Sequence, residues 1–226
     1  SRAPIATRRA KKNTLLRPRV LDTISSWHKR IDKYKKSRQP SARYWMSETG
    51  GAQFGGEKGI NDSFISSFWW LDQLGQLASR GYEHIFRHTL IGADYAILDE
   101  DSTPRPDYWA TLLWKRFMNG KVHKVLTDDK KEWNNKGNRL RIYAHSNEYY
   151  KCFLIINIGK KSRSIDFEKK GNVYEVKADN IYSKDVYLNS RLLSIKKGFD
   201  FAKVEKKIQS SITLNPRTYC FIELKK

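Results

Sequence analysis

Glu48 stands in the segment RYWMSETGGAQFGG, residues 43–56, between an apolar run and a loop holding Gly50, Gly51, Gly55 and Gly56. A carboxylate at such a junction can act as a nucleophile or as a general acid/base. In parallel α/β sheets the reactive groups sit where strands give way to loops, and glycines there let the backbone approach a ligand closely. The same acid can also cap a loop or a helix, and from the residue alone that is the simpler reading. The glycines do not form a phosphate cradle, because neither GxxxxGK[ST] nor a strand–GxGxxG–helix register occurs. Other reactive side chains are sparse. His84 and His88 have helix-like spacing but lie in strand-like sequence, which argues against a metal pair. Cys152 and Cys220 each sit in an apolar, strand-like run and belong to no metal-spacing motif; a bridge between them is left open.

The elements around Glu48 read as an alternation. Val20, Ile24, Trp27, Ile31 and Tyr34 mark one face of an amphipathic helix that Pro40 must end. ARYWMSE is then a strand, and Asn61 and Asp62 offer caps for a second helix, FISSFWWLDQLGQLASRG. HIFRHTLIG reads as a second strand, and PRPDYWATLLWKRFMNG as a third helix with Pro106 near its start and Gly120 beyond its end. Helix–strand–helix–strand–helix over residues 14–120 is the pattern of a parallel α/β protein. A parallel sheet of two strands cannot stand alone, so this half reads as the tail of a larger unit. Beyond residue 122 the runs RLRIYAHS, KCFLIINIG, NVYEVKA, KDVYLNS, RLLSI, SITLN and TYCFIELKK predict an antiparallel sandwich or small barrel. Two domains are expected, 1–121 and 122–226.

The 226 residues carry a formal charge of +20, and 39% of them are hydrophobic, which excludes a disordered polymer. No apolar run is long enough to span a membrane. Such a charge favours polyanions: nucleic acid, sulfated or uronate-containing glycans, or anionic lipid. Residues 1–43 hold fourteen Lys and Arg, Arg8, Arg9, Lys11 and Lys12 among them, against only Asp22 and Asp32. No zinc-finger spacing or RNP-type segment supports nucleic acid. The chain opens on Ser1, so a processed form or a piece of a longer protein is expected.

YWMSETGGAQFGG, followed by DSFISSFWWLDQLGQLASRGYEHIFRHTLIGADYAILDEDSTPRPDYWATLLWKRFMNGKV, resembles the heparanase family. These are retaining endo-β-glucuronidases of glycoside hydrolase family 79 that cleave heparan sulfate. The resemblance runs from about Thr14 to Val122 and continues weakly to the C-terminus. Its most specific parts are W-x-x-E-T-x-x-A with two glycines downstream, W-L-D-x-L-G and P-x-P-D-Y-W-x-x-L-L. It implies that Glu48 is the nucleophile. It also implies substrate contacts from the glycine loop through Phe54 and Gly55, from His88, and from Tyr95. Phe54 occupies a position that is Gly in animal heparanases, Gln53 replaces a usual Tyr, Ser47 a usual Gly, and His88 a frequent Gln. Trp69, Trp70, Tyr108, Trp109 and Trp114 lie within the helices and read as packing.

A retaining glycosidase needs two carboxyl groups about 5–5.5 Å apart. In the family the acid is the Glu of an Asn-Glu-Pro several strands earlier in a (β/α)8 barrel. This chain has no Asn-Glu-Pro, and its Asn147-Glu148 reads as a hairpin turn. The expected architecture is therefore the C-terminal part of a (β/α)8 TIM barrel followed by an antiparallel β-sandwich, inactive by itself. The resemblance calls for no metal or organic cofactor. Its expected partners are heparan sulfate or a related uronate-containing polyanionic glycan, and the remaining barrel as another chain or segment. Neither nucleic acid nor a transmembrane segment is expected, and the resemblance implies an extracellular or lysosomal location, with association to a membrane as an alternative. The rival expectation is a non-catalytic, heparan sulfate-binding relative. Asn61-Asp62-Ser63 is a glycosylation sequon that also reads as a helix cap.

Overall fold

A computed structural model describes residues 14–195 and 199–226, so the basic residues Arg8, Arg9, Lys11 and Lys12 lie outside the described residues. A short helix α1 (Pro18–Leu21) leads into α2 (Thr23–Arg38), strand β1 (Tyr44–Thr49), helix α3 (Phe64–Ala78), strand β2 (Tyr82–Arg87) and helix α4 (Pro106–Phe117). β1 and β2 pair in parallel. The antiparallel part follows: β3 (Lys121–His123), β4 (Leu140–Ser146), β5 (Tyr150–Asn157), β6 (Arg163–Lys177), β7 (Tyr187–Leu188), β8 (Arg191–Leu192), β9 (Lys207–Leu214) and β10 (Thr218–Lys225). Its order is β3-β4-β5-β10-β6-β7-β8, with β9 also paired to β6.

The strands CFLII and YCFI are apolar on both faces because both faces are covered. Side chains alternate along a strand. Cys152, Leu154 and Ile156 of β5, with Tyr219 and Phe221 of β10, meet Phe68 and Leu71 of α3 and Leu113 and Phe117 of α4 in one core. Ile155, Cys220, Ile222 and Val173 point the other way, into a second core that Ile212, Leu214, Ile165 and Phe167 close. β6 and β9 supply that cover, and their register slips between Asp166 and Gly171. Each large apolar side chain so buried stabilises the fold by roughly 1.5–3 kcal/mol. Two free cysteines, Cys152 and Cys220, lie on opposite faces of the sheet and so in different cores.

Some expectations need correction. The first helix is broken at Asp22, and of its apolar face only Ile24 is buried, Ile31 and Tyr34 being 43% and 70% exposed. The cap of α3 is Ser63, not Asn61 or Asp62. Those two side chains close the preceding turn instead, accepting from the backbone N–H of Glu57 (2.9 Å) and Gly59 (2.5 Å). Asn61 is buried, so the sequon asparagine is not presented to solvent. The second strand spans Tyr82–Arg87 and does not reach Gly92. Asn147 and Glu148 do form the β4–β5 hairpin turn, with Asn147 Oδ1 accepting from the N–H groups of Tyr149 and Tyr150.

Candidate active site

Glu48 owes its direction to a bulge. Met46 is opposite Ile85 and Thr49 opposite Arg87, so three steps on β1 match two on β2. Met46 faces the helices, packing with Ile24, Leu77 and Tyr82. Strict alternation from Met46 would return Glu48 to that buried side. The extra residue instead leaves both Ser47 and Glu48 exposed, and Thr49 faces inward, where its hydroxyl accepts from Gln73 of α3. A bulge of this kind re-aims a side chain at the end of a strand. Trp45, His84 and Phe86 share the open side as an aromatic cluster, Trp45 and His84 having ring centroids 4.6 Å apart.

Beneath the strand ends lies a buried polar frame. Arg87 and Asp107 are 2.7 Å apart, both nearly inaccessible, and Ser66 donates to the same carboxylate oxygen at 2.8 Å. The guanidinium lies 4.9 Å from the Trp69 ring and 5.0 Å from Trp70. Burial raises the Asp107 carboxyl above its ordinary range, and the adjacent Arg87 charge opposes that. Arg87 also donates to the carbonyl of Tyr95 at 2.7 Å, while Arg105 donates to those of Ala93, Asp94 and Ala96 and pairs with Asp99 at 2.8 Å. Two guanidiniums thus fix the 93–96 loop.

The loop passes this order on to the glycines. The Tyr95 N–H donates to the carbonyl of Gly55 at 3.0 Å. Gly56 has φ +101°, and a Cβ there would come within 2.9 Å of the Tyr95 nitrogen, so a side chain is excluded by both conformation and space. His88 follows β2, its N–H donating to the carbonyl of Thr49 at 2.9 Å, and its ring centroid is 5.6 Å from that of Tyr95. Of the expected site residues, Gly55, His88 and Tyr95 are therefore assembled around one another. Glu48 is placed by the bulge next to Thr49 and makes no side-chain hydrogen bond among the described residues. Phe54 is 82% exposed, with φ +53°.

Arg87, Arg105, Asp107 and Gln73 carry no role in the sequence reading. The P-x-P-D motif held the signal for Asp107, an acid in a helical first turn, but not its buried partner. A cavity of about 650 Å³ opens between Ser25, Arg80, Trp133 and Arg141, and none of the expected site residues lines it. Among the described residues no cluster of three His, Cys, Asp or Glu could hold a metal, and no helix is long and apolar enough to cross a membrane.

Two parallel strands backed by helices and followed by an eight-stranded antiparallel sheet form a mixed architecture that solved glycoside hydrolases share. A crystal structure of a 4-O-α-L-rhamnosyl-β-D-glucuronidase from Fusarium oxysporum superposes with a TM-score of 0.69, covering 99% of this chain and 52% of that one at 16% identity, and shares the fold. The family model for the glycosyl hydrolase family 79 N-terminal domain matches residues 7–75. Heparanase of Rattus norvegicus is 30% identical over 205 residues, covering 82% of this chain and 37% of the relative. Inactive heparanase-2 of Homo sapiens is also 30% identical, over 163 residues, covering 66% of this chain and 28% of the relative. The chain is a heparanase-like member of glycoside hydrolase family 79. It spans well under half the length of these curated relatives.

Proposed function

We propose that the chain carries the nucleophile side of a retaining endo-β-glucuronidase site acting on heparan sulfate-type glycans, with Glu48 as the nucleophile. The observation that carries this is the bulge that turns Glu48 to the open side at a strand end. In this reading residues 1–121 belong to a (β/α)8 barrel and 122–226 to an appended β-sandwich. Glu48 attacks the anomeric carbon, and a second carboxyl group protonates the departing glycosidic oxygen. That second group then takes a proton from water as water cleaves the glycosyl ester. It comes from barrel strands that this chain does not contain, on another segment or another chain. Gly55, beside which a side chain would meet nothing within 4 Å, leaves room for a sugar against the backbone, with Tyr95 and His88 nearby. An extracellular or lysosomal setting belongs to the same reading.

The test uses the completed barrel. Glu48→Gln should reduce turnover of a glucuronoside polymer by several orders of magnitude while leaving substrate affinity within about threefold. Equal loss of both would make Glu48 a structural acid. The second reading is a glycan-binding relative without turnover, favoured by the similarity to an inactive relative. Trapping of Glu48 by a 2-fluoro glucuronide, seen as a mass increase on the peptide holding residue 48, separates the two.

A further inference from the structure

Helix α3 begins without a side-chain cap from its own sequence. The first N–H groups of a helix have no intrahelical acceptor and must find one elsewhere. Here two acceptors come from the antiparallel part. The Phe64 N–H donates to the carbonyl of Ser183 at 2.8 Å, and the Ile65 N–H to that of Ile181 at 2.7 Å. The β6–β7 connection, residues 178–186, thus docks on the helix that follows the glycine loop.

That connection is pinned along its length. Ile181 and Val186 are buried in the larger core. Asn180 accepts twice, its Oδ1 from the Tyr182 N–H at 2.9 Å and its carbonyl from the Ser183 N–H at 3.1 Å. The Ser183 hydroxyl accepts from the Asp185 N–H at 3.0 Å. Lys184 lies between these anchors. Its ammonium reaches two carboxylates, 3.0 Å from Asp99 Oδ2 and 3.4 Å from Asp62 Oδ2.

Both carboxylates belong to turns that shape the candidate site. Asp62 is buried, and its other oxygen closes the turn at Gly59. Asp99 pairs with Arg105, whose guanidinium holds the carbonyls of Ala93, Asp94 and Ala96 on either side of Tyr95. One ammonium therefore ties together the two loops that also meet at the Gly55–Tyr95 hydrogen bond. An ion pair on an open surface is worth little, because water screens both charges. This one differs because Asp62 is nearly inaccessible, and a buried carboxylate that loses its cation is left uncompensated. Loops open at low free energy, so a bond of modest strength decides their order.

We propose that Lys184 is a positioning residue for the site around Glu48. By clamping Asp62 to Asp99 it keeps Gly55 and Tyr95 in place for the substrate, acting through the loops and not by touching the glycan. That role rests on the glycan site proposed above.

The test compares Lys184→Met, Lys184→Arg, Asp99→Asn and the double variant Lys184→Met with Asp99→Asn, all in the protein with its barrel complete. Lys184→Met should raise KM for a glucuronoside oligosaccharide at least about tenfold while kcat stays within about threefold, because the clamped loops carry Gly55 and Tyr95 and not Glu48. Lys184→Arg should restore KM to within about threefold of the parent. The double variant should lose no more than the larger of the two single losses, since either change opens the same clamp. Fully multiplicative losses would overturn the proposal. So would an unchanged or lowered KM in Asp99→Asn, the result expected if Lys184 held the substrate's anion directly.

Hydrogen exchange reads the clamp without substrate. Peptides covering residues 53–62 and 93–99 should exchange at least about tenfold faster in Lys184→Met, and those of β5 and β10 at the parent rate. Unchanged exchange in the two loops overturns the clamp, and faster exchange everywhere makes Lys184 a residue of general stability instead. A parent that binds without turnover, with dissociation constants in the order expected for KM, overturns Glu48 as nucleophile and leaves Lys184 positioning a binding site. A parent that neither binds nor turns over glucuronoside overturns both.

Discussion

Arg87 and Asp107 meet at 2.7 Å beneath the candidate site, linking the end of a parallel strand to the first turn of the helix that follows it. Two ions this deep pay a desolvation penalty that their attraction and the Ser66 hydrogen bond offset only in part. The same guanidinium also holds the carbonyl of Tyr95. The pair is thus a positioning device as well as a packing one.

Removing one partner exposes the asymmetry. Asp107→Ala should destabilise the fold by about 3–5 kcal/mol, because Arg87 is left charged and buried without a counterion. Urea unfolding followed by tryptophan fluorescence measures this, since Trp69 and Trp70 lie against the guanidinium. A loss below about 1 kcal/mol would mean that water reaches Arg87 and that the pair is not a structural anchor.

The sequence made the helices and most strands legible, because the apolar runs of α3, β5 and β10 are long and the glycine and proline signals flank them. It did not show where Glu48 points. A bulge is one extra residue in a pairing register, and the register depends on β2, far away in the chain. The face of α2 was misjudged for a related reason. Its apolar spacing is regular through Tyr34, but only Ile24 meets the core. Asn61 and Asp62 were assigned to the helix they precede, although their side chains close the turn before it.

Gly75 reports on how tightly the helices sit on the sheet. A Cβ there would lie 2.5 Å from the ring of Tyr143, and the Tyr143 hydroxyl is held at 2.6 Å by the buried carboxylate of Asp72. The ring cannot withdraw without breaking that bond. Gly75→Ala gains helix propensity of up to about 1 kcal/mol but should still destabilise the protein by about 1–3 kcal/mol net. Thermal unfolding decides it: an increased midpoint would show that α3 can slide on the antiparallel sheet.

His145 should make the fold acid-sensitive. It is buried with its ring 5.3 Å from Trp114, and burial pushes its pKa down from 6.5 to about 4. The unfolded chain binds a proton near pH 6.5 that the folded chain refuses until about pH 4. The contribution is therefore intact above pH 6.5 and is lost progressively as pH falls toward 4, to a total of about 3 kcal/mol. His145→Phe should remove that part of the slope, so stability curves of the two proteins would converge or cross as pH falls through this window. Parallel curves would show that the imidazole is solvated.

The two cysteines should be silent in the native protein and should not bridge. Cys152 is opposite Glu223 and Cys220 opposite Ile155, so their positions are offset by three residues along neighbouring strands and they face different cores. Three residues along a strand is about 10 Å, beyond the Cα separation that a disulfide tolerates. Burial pushes the Cys152 thiol up to about 12 and raises that of Cys220 as well, which leaves almost no thiolate to react at neutral pH. Titration with a thiol reagent should modify neither cysteine on the timescale of mixing in the native state and both in denaturant. Rapid native labelling of Cys152 would show that the helices lift from the sheet, whereas labelling of Cys220 would show that the β6–β9 ribbon opens instead.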